Sequence, residues 1–574
     1  MTDAGGPAPA QSPGKTLAKL FDDERAFVWR EDPLTASIEG VHAFDDRLPS
    51  VTPDSQQRRL QADEQFLRRL RSIRRGRLNA QQQISYDLFE FMVSQRVTLG
   101  HHREWRAPLN SDSGFHFDVL YMDQFAEPRT VADYDRYIAR LNDVPRFFAE
   151  NIANMRAGMR DAFTLPAAIL DGAAKTIAGA QYADAEKMPL WRPFAKFPKA
   201  VPDAQCARLA AAGKTALTDA VMPAYAAFRR FFETEYRPVA RGTIAASALP
   251  QGGAYYDDVV RYFTTLPDAT PVMIHEIGVS EVARIRGEME AIVREVKFDG
   301  DFAGFLAMLR TDPRFYAKTP AELLREAAWI AKEIDGKLPA YFGRLPRVPY
   351  GVMPVPEALA PNYTSGRYNP GPIGAAGEYW VNTYALDTRP LYVLPSLTLH
   401  EAVPGHHLQT ALARELADAP GFRLNFFPHA FGEGWALYAE KLGEEMGVYH
   451  TPYQRFGRLT YEMWRACRLV VDTGIHAMGW TREQGQALLA ANTALSTHEI
   501  RTEVDRYISW PGQALAYKIG ELRIVELRRR AEEALGARFD LRAFHDAVLE
   551  NGGVTLPVLE RRINAYIKSA SGSV

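Results

Sequence analysis

The sequence predicts a mainly α-helical protein with a small β-sheet. Three observations lead there. Apolar residues recur at intervals of three, four and seven through most of the 574 residues. One stretch, Val348 to Leu394, is punctuated by Gly and Pro and has no sustained helical period. A length of 574 residues with 47% hydrophobic and 24% charged side chains describes a globular chain with ample core, organised in two to four lobes.

Taken in order, residues 1–15 are rich in Gly and Pro and read as a disordered tail without the continuous apolar core of a secretory signal. No run approaches the roughly 18 apolar residues that span a bilayer. The expected localisation is cytoplasmic, although a periplasmic protein stripped of its signal would share these features. Only Cys206 and Cys467 occur, far apart in helix-like apolar contexts, so they read as buried thiols in a reducing compartment. Lys plus Arg (68) nearly balances Asp plus Glu (70), and no global field favours nucleic acid or a membrane surface.

Tyr134, Ile138, Leu141, Phe148, Ile152, Met155 and Met159 form a core stripe, with Pro145 marking a kink or a break between two helices. Segments 201–236, 280–296, 320–335 and 513–535 read the same way. Asp540 caps one more helix, Asn551-Gly552-Gly553 stops it, and Thr555 to Pro557 starts the last. Within the Val348–Leu394 stretch, Tyr379-Trp380-Val381-Asn382-Thr383 has the aromatic and β-branched content of a short strand.

The chemistry concentrates at Leu397–Gln409 and Gly432–Glu440. His400 and Glu401 lie in a segment whose leucines (394, 397, 399, 408, 412, 416) follow helical spacing, so the pair sits on a buried helix. In the H-E-x-x-H signature two histidines four apart share a helix face and the Glu acts as general base. Here Pro404 and Gly405 lengthen the interval and a regular helix cannot cross them. A local bulge absorbing two residues returns His406 to the second histidine's phase. An unbroken helix, at about 100° per residue, brings His407 over His400 instead. His406 is favoured and His407 competes.

A third ligand must come from another element, because one helix cannot surround a tetrahedral ion. Glu433 and Glu440 are seven apart on one helix face, and Glu433 stands between Gly432 and Gly434, where backbone can approach a metal closely. Glu433 is the favoured ligand and Glu440 the acceptor that orients a ligand histidine. The expected ion is Zn²⁺.

Two further clusters follow. Arg468, Asp472 and His476 share a helix face at i, i+4 and i+8, so Asp472 could orient His476 as an oxyanion donor, against the plain reading of a salt-bridged face. In Arg506-Tyr507-x-x-Trp510-Pro511-Gly512-Gln513-x-x-x-Tyr517-Lys518, Tyr517 is the favoured oxyanion donor and Tyr507 the runner-up. Arg506 and Lys518 are candidate anchors for an acidic or C-terminal group. Tyr255 and Tyr256, after Gly252-Gly253, are candidate cleft residues. His275-Glu276 repeats the His-Glu pair without a companion histidine or Gly-Glu-Gly-Trp element and reads as structural.

His400-Glu401-x-x-Pro404-Gly405-His406-x-x-Gln409, then Glu433-Gly434-Trp435-Ala436-Leu437-Tyr438, then Trp510-Pro511-Gly512-Gln513-Ala514-x-x-Tyr517-Lys518-x-Gly520, resembles the bacterial family called domain of unknown function 885. That family is similar to glutamate-ligand zinc peptidases (gluzincins) such as thimet oligopeptidase, carboxypeptidase Taq and angiotensin-converting enzyme. The resemblance implies a large two-lobed helical fold with a deep central cleft, divided at about residue 345 into an N-terminal lobe (16–345) and a metal-site lobe (346–574). It also implies zinc on His400, His406 and Glu433, with Glu401 as base. In such peptidases an edge strand beside the metal helix pairs with the substrate backbone, and Tyr379, Trp380 and Asn382 are the expected substrate contacts.

The expected function is hydrolysis of short peptides, with no nucleic-acid or membrane partner and the oligomeric state open. The alternatives are a zinc hydrolase of non-peptide amides or esters and a catalytically silent peptide-binding protein.

Overall fold

The computed structural model describes residues 12–357, 359–360, 363–371, 375–416 and 418–572. It is 72% helical and 4% strand, which makes the fold mainly α with one small sheet. Contacts group the chain into two compact units, residues 1–244 with 248–255 and residues 245–247 with 256–574. The division expected near residue 345 therefore lies about ninety residues earlier. Among the described residues no helix is long and apolar enough to cross a membrane.

In the first unit, α1 runs over Pro13–Glu31, so residues 13–15 of the expected tail form a helical turn, and residues 1–11 lie outside the described chain. α2 (Pro53–Arg71) and α3 (Ala80–His102) follow, each opened by a capping side chain, Thr52 and Asn79, that accepts an otherwise orphaned backbone N–H. α4 (Val131–Arg160) begins with a Thr130/Asp133 capping box and continues through Pro145 as one helix. Its inner stripe buries Tyr134, Leu141, Phe148 and Met155.

The second unit is built around a helix that is buried for most of its length. α5 (Pro271–Glu295) lies along that later helix, α10 (Pro452–Met478), and its Gly278 leaves room for Leu469 and Val470. This pairing ties residues 256–345 to the metal-site segment rather than to the N-terminal helices. α6 (Pro320–Tyr341) leads into the sheet: β1 (Tyr350–Pro354), β2 (Gly366–Asn369) and β3 (Gly377–Val381).

The strand order is β1-β3-β2, with β3 parallel to β1 and antiparallel to β2. β3 is thus the central strand and Tyr379 pairs with Val352 on one side and Tyr368 on the other. Then come α7 (Leu394–Glu401), α8 (His406–Arg414), α9 (His429–Glu445), α10, α11 (Thr497–Ser509) and α12 (Ala516–Leu535).

α9 and α12 cross in close contact at Gly434 and Gly520. A Cβ on Gly520 would strike the Ala430 carbonyl, and one on Gly434 would strike the Gly520 backbone. Gly434 thus serves helix packing, not approach to a metal. α13 (Leu541–Leu549) starts at the Asp540 cap, and α14 (Leu556–Ala570) is the last helix.

Candidate metal centre

The helix carrying His400 stops at Glu401, and a new one starts at His406. The intervening turn contains a cis Val403–Pro404 bond and is closed by the His407 N–H donating to the Ala402 carbonyl at 3.0 Å, a five-residue span. Gly405 folds against the His400 carbonyl, where a Cβ would not fit. The Trp435 indole N–H donates to the Pro404 carbonyl at 2.8 Å and fastens the turn to α9. The expected bulge is realised as a break between two helices. Its effect is to bring the His400 and His406 rings to 4.8 Å, at 89° to each other.

Glu433, in the first turns of α9, completes the group. Its Oε2 lies 3.6 Å from His400 Nε2 and 3.4 Å from His406 Nε2. The ligating atoms of all three residues lie within 4.8 Å of one another. Bonds of about 2.0–2.2 Å in a tetrahedral zinc site separate its ligand atoms by roughly 3.3–3.6 Å, so two imidazole nitrogens and one carboxylate oxygen fit such an ion.

His400 Nδ1 meets Glu440 Oε1 at 2.8 Å, which fixes the ring so that Nε2 faces the cluster. Burial alone would depress the His400 pKa, but Glu433, Glu440 and the adjacent Glu401 outweigh it and raise it to about 10. Burial would likewise raise Glu433, yet the two imidazoles hold it well below the ordinary carboxylate range. His407 is engaged elsewhere: Nδ1 meets the Tyr368 hydroxyl and Nε2 the Val348 carbonyl, each at 3.1 Å. Burial lowers its pKa to about 4.

The cluster forms part of the wall of a cavity of about 480 Å³. Glu401 and Tyr517 line the same space. Glu401 Oε2 accepts the Tyr368 backbone N–H at 2.8 Å, which brings the outer edge of β2 against it. The Tyr517 ring stacks near His400, centroids 6.4 Å apart, and its hydroxyl accepts from the Arg506 guanidinium at 3.3 Å. Arg506 also donates to Gln513 at 2.8 Å.

Of the other residues in the two expected clusters, Arg468, Trp510 and Gln513 also line the cavity, and the remaining candidates do not reach it. His476 is fully buried between backbone groups, accepting the Ala246 N–H at Nδ1 and meeting the Tyr507 carbonyl at Nε2, both at 2.9 Å. Asp472 does not orient it: its carboxylate takes the Tyr256 hydroxyl at 2.6 Å and the Gly512 N–H at 3.1 Å. Tyr256 is thereby buried, and Tyr255, in the first unit, spends its hydroxyl on Glu104 at 2.7 Å. Tyr507 is buried with its hydroxyl bonded by Trp464 and Arg468.

Lys518 is inaccessible, and its ammonium meets Glu281, Glu462 and Glu521 at 3.0, 2.7 and 2.8 Å, so it is no substrate anchor. Tyr379 is buried in the central strand, Trp380 donates to Glu378 at 2.8 Å, and Asn382 is consumed by the carbonyls of Ala360, Tyr363 and Thr364. The strand that borders the cavity is β2, not β3. His275 Nδ1 meets the Thr473 hydroxyl at 2.9 Å, and neither His275 nor Glu276 lines the cavity.

Sequence reading missed Arg367, Arg414, Tyr461, Arg465, Phe427 and His429 in the cavity wall. Arg465 was discoverable, since it lies three residues before Arg468 on one helix. Phe427 and His429 had no signal beyond proximity to Glu433.

Fold and site together define a mainly helical protein with a partly buried two-histidine, one-glutamate cluster able to hold a metal ion. Residues 33–563 match the family described as "Bacterial protein of unknown function (DUF885)", and the chain belongs to that family. It is 28% identical to a solved Colwellia psychrerythraea protein described as a "putative lipoprotein", with a TM-score of 0.90 over 98% of this chain and 100% of that one. A Shewanella oneidensis protein, "a putative lipoprotein of unknown function", shares the fold at 19% identity and a TM-score of 0.74, covering 96% of this chain and 99% of that one. No curated protein matches.

Proposed function

We propose that the chain is a zinc-dependent hydrolase that cleaves peptide bonds of short peptides. The observation that carries this is the convergence of His400, His406 and Glu433 in a cavity wall that also holds Glu401 and Tyr517. A zinc ion held by those three residues would polarise a carbonyl and acidify a water. Glu401, next in sequence to a ligand and steadied by the Tyr368 N–H, takes the proton of the attacking water and hands it to the leaving amine. The Tyr517 phenol, oriented by Arg506, donates to the oxyanion. Glu440 holds the His400 ring in register.

β2, and not β3, is the strand that would meet a substrate backbone, because β3 is paired on both sides while Gly366, Arg367 and Tyr368 line the cavity; the Tyr368 N–H of that edge is held by Glu401. An intact Glu401 favours a hydrolase over a receptor, since binding alone requires no base. Digestion of a mixed peptide library, alongside metal analysis of the purified protein, tests the reading. Wild-type protein should carry stoichiometric zinc and cut peptides; Glu401→Gln should keep the zinc and lose turnover. A Glu401→Gln protein that still cuts would reject the base assignment.

A further inference from the structure

The cavity wall is unequally charged. Five arginines line it, Arg367, Arg414, Arg465, Arg468 and Arg506, against two carboxylates, Glu401 and Glu433, both of which belong to the metal centre. The arginines' own partners do not restore the balance. Arg465 is matched by Glu440 at 3.4 Å. Arg468 takes Glu503 at 2.9 Å, and Arg506 must share that same carboxylate at 3.5 Å, completing its contacts with the neutral oxygens of Gln513 and Tyr517. Arg414 donates to the Pro370 and Gly371 carbonyls and Arg367 lies over the Tyr363 ring; neither contact brings a negative charge. A guanidinium held at a partly desolvated wall with a shared counter-ion gains most from an incoming carboxylate, which it can meet with two parallel hydrogen bonds.

Accessibility leaves Arg367, Arg414 and Arg506 to receive it, and connection to the reacting centre singles out Arg506. The Arg468 and Arg465 side chains are 2% and 5% exposed, whereas Arg506 keeps 20%. Arg506 is also tied to the reacting centre, since it touches the Tyr517 hydroxyl and the Tyr517 ring stacks on His400. With a residue spanning about 3.3–3.6 Å, a carboxylate held there lies on the order of three residue lengths or less from the bond being cut.

We infer that Arg506 is the specificity-determining residue of this site, docking a carboxylate that the peptide presents close to its cleaved bond. This rests on the peptide reading above. The carboxylate is either the chain's own C-terminus or an acidic side chain, and one experiment separates them. Zinc-loaded Glu401→Gln protein, which binds without turnover, is titrated calorimetrically with Phe-Ala-Leu as free acid, the same tripeptide as its amide, and Phe-Asp-Leu amide.

At least one carboxylate-bearing peptide should bind about tenfold or more tighter than Phe-Ala-Leu amide. A preference for the free acid assigns the carboxylate to the chain end, and a preference for the Asp peptide assigns it to a side chain. Adding Arg506→Gln should bring the three affinities within about twofold of one another, and a circular dichroism spectrum and zinc content matching those of the Glu401→Gln parent show that the variant folds. Arg506→Lys should retain part of the preference. Equal binding of all three peptides, binding of none, or a preference that survives Arg506→Gln overturns the inference. Hydrolysis without any carboxylate preference removes this inference alone; carboxylate-dependent binding without wild-type hydrolysis removes the peptidase reading and leaves the docking residue standing.

Discussion

The Trp435 indole donates its N–H to the carbonyl of Pro404 at 2.8 Å. One hydrogen bond thus joins the two sequence motifs of the site: the turn between His400 and His406, and the helix that delivers Glu433. The turn breaks α7 from α8, so nothing within a single helix holds the two histidines in phase. Their relative position depends on the contact with α9, and the candidate metal cluster is a property of packing as much as of spacing.

His406 and His407 should separate cleanly on substitution. His406→Ala removes one of three converging ligand atoms and should abolish stoichiometric zinc binding, as His400→Ala should. His407→Gln loses only bonds to Tyr368 and Val348 and should keep the metal. Metal content by plasma mass spectrometry decides it, and loss of zinc in His407→Gln alone would sink the ligand assignment.

Glu440→Gln keeps the size of the side chain but weakens its hold on His400 Nδ1. Removing such an orienting partner costs about 10–100-fold in metal affinity. Competition with a chromogenic chelator should show a loss of that order, with Glu401→Gln close to wild type.

Lys518→Met should act on stability. It leaves the buried Glu521 without its counter-ion, while Glu281 keeps Arg284 and Glu462 keeps Arg284 and Arg458, and breaking such a buried pair costs about 3–5 kcal/mol. Urea unfolding monitored by circular dichroism should reveal the loss. A fully stable variant with a raised KM would instead restore Lys518 as a substrate anchor.

Gly520→Ala places a methyl against the Ala430 carbonyl and pushes α9 from α12. Overpacking of this kind costs about 1–3 kcal/mol. Because Glu433 rides on α9, the variant should lose zinc affinity as well as melting temperature, a pairing that a remote core substitution would not produce.

Burial pushes the Asp472 carboxyl up to about 7, against the opposing hydrogen bonds from Tyr256 and the Gly512 N–H. The folded state therefore holds a proton that the unfolded chain has released between the ordinary aspartate pKa of about 4 and pH 7. This group's contribution to stability is largest below pH 4 and is lost as pH rises to 7, with a slope of at most about 1.4 kcal/mol per pH unit. Asp472→Asn should flatten stability against pH in that window when unfolding is followed from pH 4 to 8; an unchanged profile would refute the raised pKa.

Legibility in the sequence followed the range of the interactions involved. The helical stripe of α4, the capping residue Asp540, and the placement of His400, Glu401 and Glu433 all rest on spacing and side-chain type within a few turns. Those are local properties. His476, Tyr507 and Lys518 carried equally suggestive chemistry, and all three are consumed by groups dozens to hundreds of residues away, from Ala246 to Glu462.

The sequence by itself determined the helical class and the family membership signalled by three motifs, because each depends on periodicity or on a short ordered pattern, and it favoured His400, His406 and Glu433 as candidate ligands with His407 still competing. Only the tertiary structure decided that β2 and not β3 borders the cavity, that residues 256–345 pack with the metal-site helices, and that Arg506 and not Lys518 faces the open space. The physical reason is that a polar side chain on a buried helix must find a partner somewhere, and whether that partner is a distant carboxylate or an incoming ligand is set by which helices pack beside it.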